Sequence, residues 1–373
     1  MRSLLCVMAA LFHLGSTFCQ DGPEPKPDRI WVGPMPFISG REIRRDYFSI
    51  LTDPAAWPTV LARTDVFKSY IMMPPRDPLP GEEEPQLSDE QLEALAAFMR
   101  ERGVRTAFEV GGLRITDRVF GPFAGEKCAR IELTHLRRWM DCGGSVDYLT
   151  TDHAIMMNMR GAGFTGPGVS PVRPGNMSMG ELIGELVDYF ETMRQEIPGV
   201  KFGVIESLGF FHIAGPDGRE YPRTDPQLPV WKFDAFIDEL LAAMKERNLT
   251  LDHFHIDFGY EGVRHDGRDR GELDFGRILG VEQAVHARGV KTGVIINAYH
   301  DRSVAEPDPI AASREAYENT LAFTRGYLAA GGKSEHIIIQ TWQPYPDVTG
   351  PEDRLHTVLN IARDVLALIP NAQ

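Results

Sequence analysis

The chain of 373 residues has little cysteine. Two of its four cysteines, Cys6 and Cys19, fall in the first twenty residues. That leaves Cys128 and Cys142 for the folded part. The segment GEKCARIELTHLRRWMDCGG reads as one helix, with Ile131, Leu133, Leu136, Trp139 and Met140 as its apolar positions. Fourteen helical residues at about 1.5 Å rise put the two cysteines roughly 21 Å apart, whereas a disulfide needs Cα atoms within about 7 Å. Two free thiols are therefore expected, and neither has a local base that would make it a nucleophile.

Basic surface is also scarce, since 39 Lys and Arg stand against 53 Asp and Glu, a net charge of -14. Nucleic acid and anionic membranes both need a basic face, so neither is an expected partner. Beyond the N-terminus no stretch approaches the roughly 18 uninterrupted apolar residues of a membrane span. VGPMPFISG after the first strand does not match GxGxxG, so no dinucleotide site is expected there. No closed metal motif such as HExxH occurs, and there is no low-complexity tract.

What is present begins with the leader. MRSLLCVMAALFHLGSTFCQ has Arg2, an apolar run from Leu4 to Leu14 and then small residues. This resembles a secretory signal. Residues 1–19 are expected to be a signal peptide, 20–29 a linker and 30–373 one catalytic domain in a secreted or periplasmic protein.

From residue 30 strand-like and helix-like segments alternate. Strands are expected at 30–34, 65–73, 104–112, 146–152, 200–207, 251–259, 290–298 and 336–342. Amphipathic helices lie between them; SDEQLEALAAFMRERG has Ser88 as N-cap, Gln91 at the third position and Gly103 as stop. Eight strands each followed by a helix predict an α/β fold, a single (β/α)8 TIM barrel. Links from helix to strand are short. Links from strand to helix are long, notably 74–87, 153–176, 208–229 and 260–274. Long loops carry function, so the site is expected at the C-terminal face of the strands.

Strand parity then selects residues. In LDHFHIDFGYEG, residues 251–262, Phe254, Ile256 and Phe258 must meet the helices, which turns His255 and Asp257 inward. The same rule sends Lys68 and Tyr70, Glu109, Asn297, Gln340 and Trp342 inward; the fourth strand is ambiguous, and Asp152 faces inward if Leu149 and Thr151 face outward. In the fifth strand, Gly203 and Ile205 are placed outward and Glu206 inward. Buried charge costs several kcal/mol unless paired, so four carboxylates at one end point to chemistry. Paired carboxylates with separated proton affinities are the equipment for glycoside hydrolysis. Asp257 and Glu206, then Asp152, are the catalytic candidates. Lys68, Tyr70, Glu109, His255, Tyr260, Asn297, Gln340 and Trp342 are the candidates for holding a carbohydrate substrate. Phe210, Phe211 and Tyr345 add loop aromatics that suit a sugar face.

The leader, the eight βα units, the acidic strand ends and the TWQPYP segment at 341–346 together resemble a (β/α)8 glycoside hydrolase. In the largest such groups the acid/base ends strand four and a nucleophilic Glu ends strand seven. Here Thr151-Asp152 and Ile296-Asn297 stand at those places. Carboxylates on strands four and six, as in α-galactosidase-like barrels, match Asp152 and Asp257 better. The resemblance implies a secreted hydrolase without a cofactor. Two other readings stay open. Glu109, Asp152 and Glu206, with His153 and His255, resemble the divalent-metal ligands of an enolase-type lyase or isomerase. A carbohydrate-binding barrel without turnover is the third.

Overall fold

The computed structural model describes residues 28–34, 37–38, 42–70, 87–113, 124–155, 178–222, 231–298, 308–341 and 344–370. The leader and Trp342 lie outside the described residues. Eight parallel strands close into a barrel: β1 (Ile30–Gly33), β2 (Val66–Tyr70), β3 (Arg105–Val110), β4 (Tyr148–Asp152), β5 (Lys201–Ser207), β6 (Leu251–Asp257), β7 (Lys291–Ile296) and β8 (His336–Gln340). Each pairs with its neighbours in sequence, and β8 pairs with β1 to close the ring. The expected (β/α)8 barrel is what the chain forms.

The helices are α1 (Tyr47–Leu51), α2 (Pro58–Arg63), α3 (Asp89–Glu101), α4 (Ala124–Asp141), α5 (Met179–Glu196), α6 (Phe233–Glu246), α7 (Tyr260–Asp266), α8 (Gly276–His286), α9 (Pro309–Ala329) and α10 (Val358–Leu368). Ser88 and Gln91 form the expected capping box on α3, and Gly103 takes a φ of +62° behind it. Cys128 and Cys142 are both buried free thiols. No helix among the described residues is long and apolar enough to cross a membrane.

Two apolar layers follow from strand alternation. The outer one lies between sheet and helices and takes Val32, Phe67, Phe108, Leu149, Val204, Phe254, Val294 and Ile339. The inner one fills the barrel with Trp31, Val66, Ala107, Tyr148, Ile205, Ile295 and Ile338. Seven strands contribute one residue each to that inner set; β6 contributes imidazoles instead. His253 and His255 are fully buried, with ring centroids 4.4 Å apart; against Trp31 the His253 ring is tilted and the His255 ring edge-on.

Glycines on the flanking strands make room for these rings. A Cβ on Gly203 of β5 would lie 1.9 Å from His253 Nε2, and one on Gly293 of β7 would lie 2.5 Å from His255 Cδ2. Gly203→Ala is expected to destabilise the protein by roughly 1–3 kcal/mol through overpacking. Urea unfolding measures this, and an unchanged midpoint would contradict the packing argument.

The sequence did not reveal one feature of the β5–α6 connection. It carries a small three-stranded sheet of Phe211–Ala214, Glu220–Tyr221 and Trp231–Lys232. Arg277 of α8, 1% exposed, ties this sheet to the loop after β6. It donates to Asp266 Oδ2 at 2.7 Å and to the Pro222 carbonyl at 3.1 Å. Phe211 packs on Phe233 and Phe236, so it and buried Phe210 anchor the loop rather than offering a sugar platform.

Candidate active site

Two clusters meet at the C-terminal ends of the strands. The first centres on Lys68, which is fully buried on β2. Its Nζ lies 2.6 Å from Glu109 Oε2 of β3 and donates to Gln340 Oε1 of β8 at 2.6 Å. Three strands are joined here by one ammonium group. Its positive charge offsets part of the cost of burying Glu109, which is 4% exposed.

The second cluster is a carboxylate, an imidazole and a carboxylate. Asp152 ends β4 and Asp257 ends β6. Between them stands His153, the residue after Asp152. Its Nδ1 contacts Asp152 Oδ1, and its Nε2 lies 3.4 Å from Asp257 Oδ2. The Asp152 side chain is 3% exposed and that of Asp257 17%, so Asp257 is the more open of the two. His153 has a φ of +51°, a left-handed backbone that costs a non-glycine residue of the order of 1–2 kcal/mol. That conformation swings its ring across to β6.

Tyr70, at the end of β2, relates the two clusters. Burial pushes its hydroxyl well above the ordinary phenol range. The charges of Glu109 and Asp257 push the same way, with Arg44 opposing, so Tyr70 stays protonated. Arg44 is itself buried and donates to the Pro346 carbonyl through Nη2 at 2.8 Å. Burial lowers its guanidinium to about 10, and it remains a cation at neutral pH.

Two carboxamides complete the mouth. Asn297, just beyond β7, is 2% exposed, and neither its Oδ1 nor its Nδ2 has a partner among the described residues. Gln340 Nε2 is likewise buried without one among those residues. Buried polar groups are ordinarily hydrogen-bonded, and leaving one unmet costs about 1–3 kcal/mol. Gly259 keeps the space beside Asn297 open, because a Cβ there would lie 2.4 Å from Oδ1.

Lys68, Tyr70, Glu109, Asp152, Asp257, Asn297 and Gln340 therefore come together as parity requires. Two other expectations change, those for Glu206 and His255. Glu206 does not face the mouth. Ile205 belongs to the inner layer and Val204 to the outer one, so Glu206 points with Val204 toward the helices. There its Oε1 accepts from the Ile155 amide at 3.1 Å. His255 does face inward, but at a lower level. Its Nε2 lies 3.1 Å from His336 Nδ1, inside the packed barrel. Tyr260 opens α7 and packs against the outer apolar layer. The set Glu109, Asp152 and Glu206 does not assemble as metal ligands, because Glu206 is on the other face of the sheet. Among the described residues no group of three or more His, Cys, Asp or Glu is placed to hold a metal ion.

The buried imidazoles set the response to acid. Burial holds His253 and His255 well below the usual imidazole range; the charges of His336 and Lys68 add to this at both, and that of His253 at His255, while Asp28 opposes at His253. Burial also lowers His336, with Asp28 opposing at 3.7 Å from its Nε2. His336 and Lys291 in turn hold the Asp28 carboxyl well below the usual carboxylate range. The unfolded chain binds protons on these histidines below about pH 6.5 while the folded chain does not, so stability rises with pH there. The stability is complete above about pH 6.5. It is expected to fall on acidification by up to about 1.4 kcal/mol per pH unit for each histidine. Asp28 adds a further loss below about pH 4. Urea unfolding at pH 7.5, 6 and 5 measures the slope; a flat profile would show that the imidazoles titrate freely.

No protein-family model matches the chain, and no curated protein matches it in sequence. Solved structures do. The Ignisphaera aggregans GH53 catalytic domain is 15% identical with a TM-score of 0.48, over 92% of each chain. A chitinase from Rhizomucor miehei is 11% identical with a TM-score of 0.45, over 90% of this chain and 99% of its own. A psychrophilic glycoside hydrolase family 10 endo-beta-1,4-xylanase is 11% identical with a TM-score of 0.44, over 90% and 96%. At these values the likeness decides nothing about the reaction.

Proposed function

We propose that the chain is an exported enzyme that hydrolyses a glycosidic bond, with Asp257 as the carboxylate that acts at the sugar. The observation that carries this reading is the Asp152–His153–Asp257 line at the barrel mouth. Asp152 is buried and touches one ring nitrogen, so it fixes the orientation of His153. The other nitrogen addresses Asp257. Asp257, the more open of the two carboxylates, is the one placed to act as a nucleophile or a water-activating base. The imidazole between the two carboxylates is the group placed to exchange a proton with the substrate. Asn297 and Gln340 offer two donors and an acceptor to sugar hydroxyls, which would satisfy their unmet hydrogen bonds.

The test is a panel of soluble polysaccharides and aryl glycosides, scored for new reducing ends or released aglycone. Turnover of at least one, lost with Asp257→Asn, supports the reading. Binding without turnover by the wild-type chain favours the non-catalytic carbohydrate-binding barrel. Proton NMR of the first product formed shows whether anomeric configuration is retained or inverted.

A further inference from the structure

The sequence placed Glu206 among the catalytic groups, and the fold removes it from the mouth. It is nonetheless fully buried, on the outer face of β5 beside the start of the β4 loop. Burying a carboxylate costs several kcal/mol unless it is well hydrogen-bonded, so its placement calls for a role. The last residues of β5 hold the loop by at least two hydrogen bonds. The Ile205 carbonyl accepts from the His153 amide at 2.9 Å, and Glu206 Oε1 accepts from the Ile155 amide at 3.1 Å. These two bonds hold the amide of His153, the residue in the left-handed conformation, and the amide two residues beyond it. A side chain as large as imidazole does not keep that conformation unaided; neighbouring structure must hold it.

We infer that Glu206 is a positioning residue: by holding the Ile155 amide it keeps His153 in the backbone conformation that sets its ring between Asp152 and Asp257. The inference deepens the proposed function by adding a residue behind the site, and rests on that reading only in treating His153 as part of the machinery. A carboxylate reaches the Ile155 amide from the far side of the sheet without entering the mouth. The Ile205 carbonyl is a backbone group present whatever residue occupies 205. Glu206 is thus the one of the two anchors that depends on sequence.

The experiment is side-chain nitrogen NMR of the full chain, with the His153 signals assigned by their absence in His153→Gln. In the wild type the His153 ring shows one tautomer, with a slowly exchanging Nδ1 proton directed at Asp152. Glu206→Gln retains an oxygen acceptor at the same reach and is expected to keep that pattern. Glu206→Asp keeps the charge but withdraws the oxygen by one methylene. It is expected to lose the slowly exchanging proton and to show averaged tautomers at His153, while the signals of buried His253, His255 and His336 stay put. Should the shortened side chain prevent folding, Glu206→Met takes its place, with similar volume and no oxygen acceptor. A wild-type His153 pattern in the Asp or Met variant overturns the inference, as does loss of the pattern in the Gln variant. None of these readings needs a substrate. If the glycoside panel fails while the NMR pattern moves as stated, the positioning role stands and the hydrolytic reading falls. If a substrate is turned over, Glu206→Asp is expected to lower kcat more than it changes KM.

Discussion

Asp257→Asn is expected to lower kcat on a glycosidic substrate by roughly a thousandfold or more, the scale of losing a group that acts on the reacting atoms. The reasoning starts from position. Asp257 ends β6, so its inward orientation is fixed by Phe254 and Ile256, which the outer layer holds. It is the more exposed of the two carboxylates that touch His153. An amide has nearly the same shape and can still meet the imidazole. It cannot carry the negative charge needed to attack an anomeric carbon or to take a proton from water. Stability should change little, because the side chain is partly open and its main contact is the 3.4 Å approach of His153. Turnover and thermal unfolding measured on the same preparation separate the two effects. Wild-type kcat in a folded variant would remove Asp257 from the mechanism. The Asp152–His153 pair would then have to act on substrate by itself.

The sequence allowed most of the barrel to be read, because a parallel strand flanked by helices announces itself by alternation and by the turn residues around it. Parity was readable where the two faces differ in chemistry. In β6, Phe254 and Ile256 alternate with His253, His255 and Asp257, and only one assignment buries the hydrocarbon. In β5 the faces are Phe202 with Val204 and Gly203 with Ile205, and both are apolar. A barrel strand is packed on both sides along its lower half, so hydrophobicity does not choose between them. What chooses is the ring of His253, which needs a residue without a Cβ beside it. That contact is across strands and is invisible along the chain. Height was hidden for a related reason. His255 has the inward parity of Asp257, but two residues earlier it lies in the filled barrel beside His336 rather than at the mouth. His153 was missed as the bridge because its role depends on a left-handed backbone just past a strand end. The only local signal was Thr-Asp-His closing β4.

The Lys68–Glu109 pair tests how far the mouth is built for binding rather than stability. Lys68→Ala is expected to destabilise the protein by about 3–5 kcal/mol, the scale of leaving a buried charge without its partner. The side chains of Lys68 and Glu109 are 0% and 3% exposed, so little water reaches Glu109 to replace the lost ammonium group. Gln340 also loses the donor to its Oε1, which frees a carboxamide that the pair now holds in one orientation. The double variant Lys68→Met/Glu109→Gln removes both charges while keeping volume. It is expected to recover much of the loss, because well-packed neutral side chains often replace a buried ion pair at no net cost. Urea midpoints of the single and double variants give the comparison. If Lys68→Ala unfolds at the wild-type midpoint, the pair is hydrated and the mouth is wetter than its packing implies. If the double variant is as stable as the wild type, stability alone does not require the charges. The reason for keeping an ammonium group beside Glu109 and Gln340 would then lie in what the mouth binds.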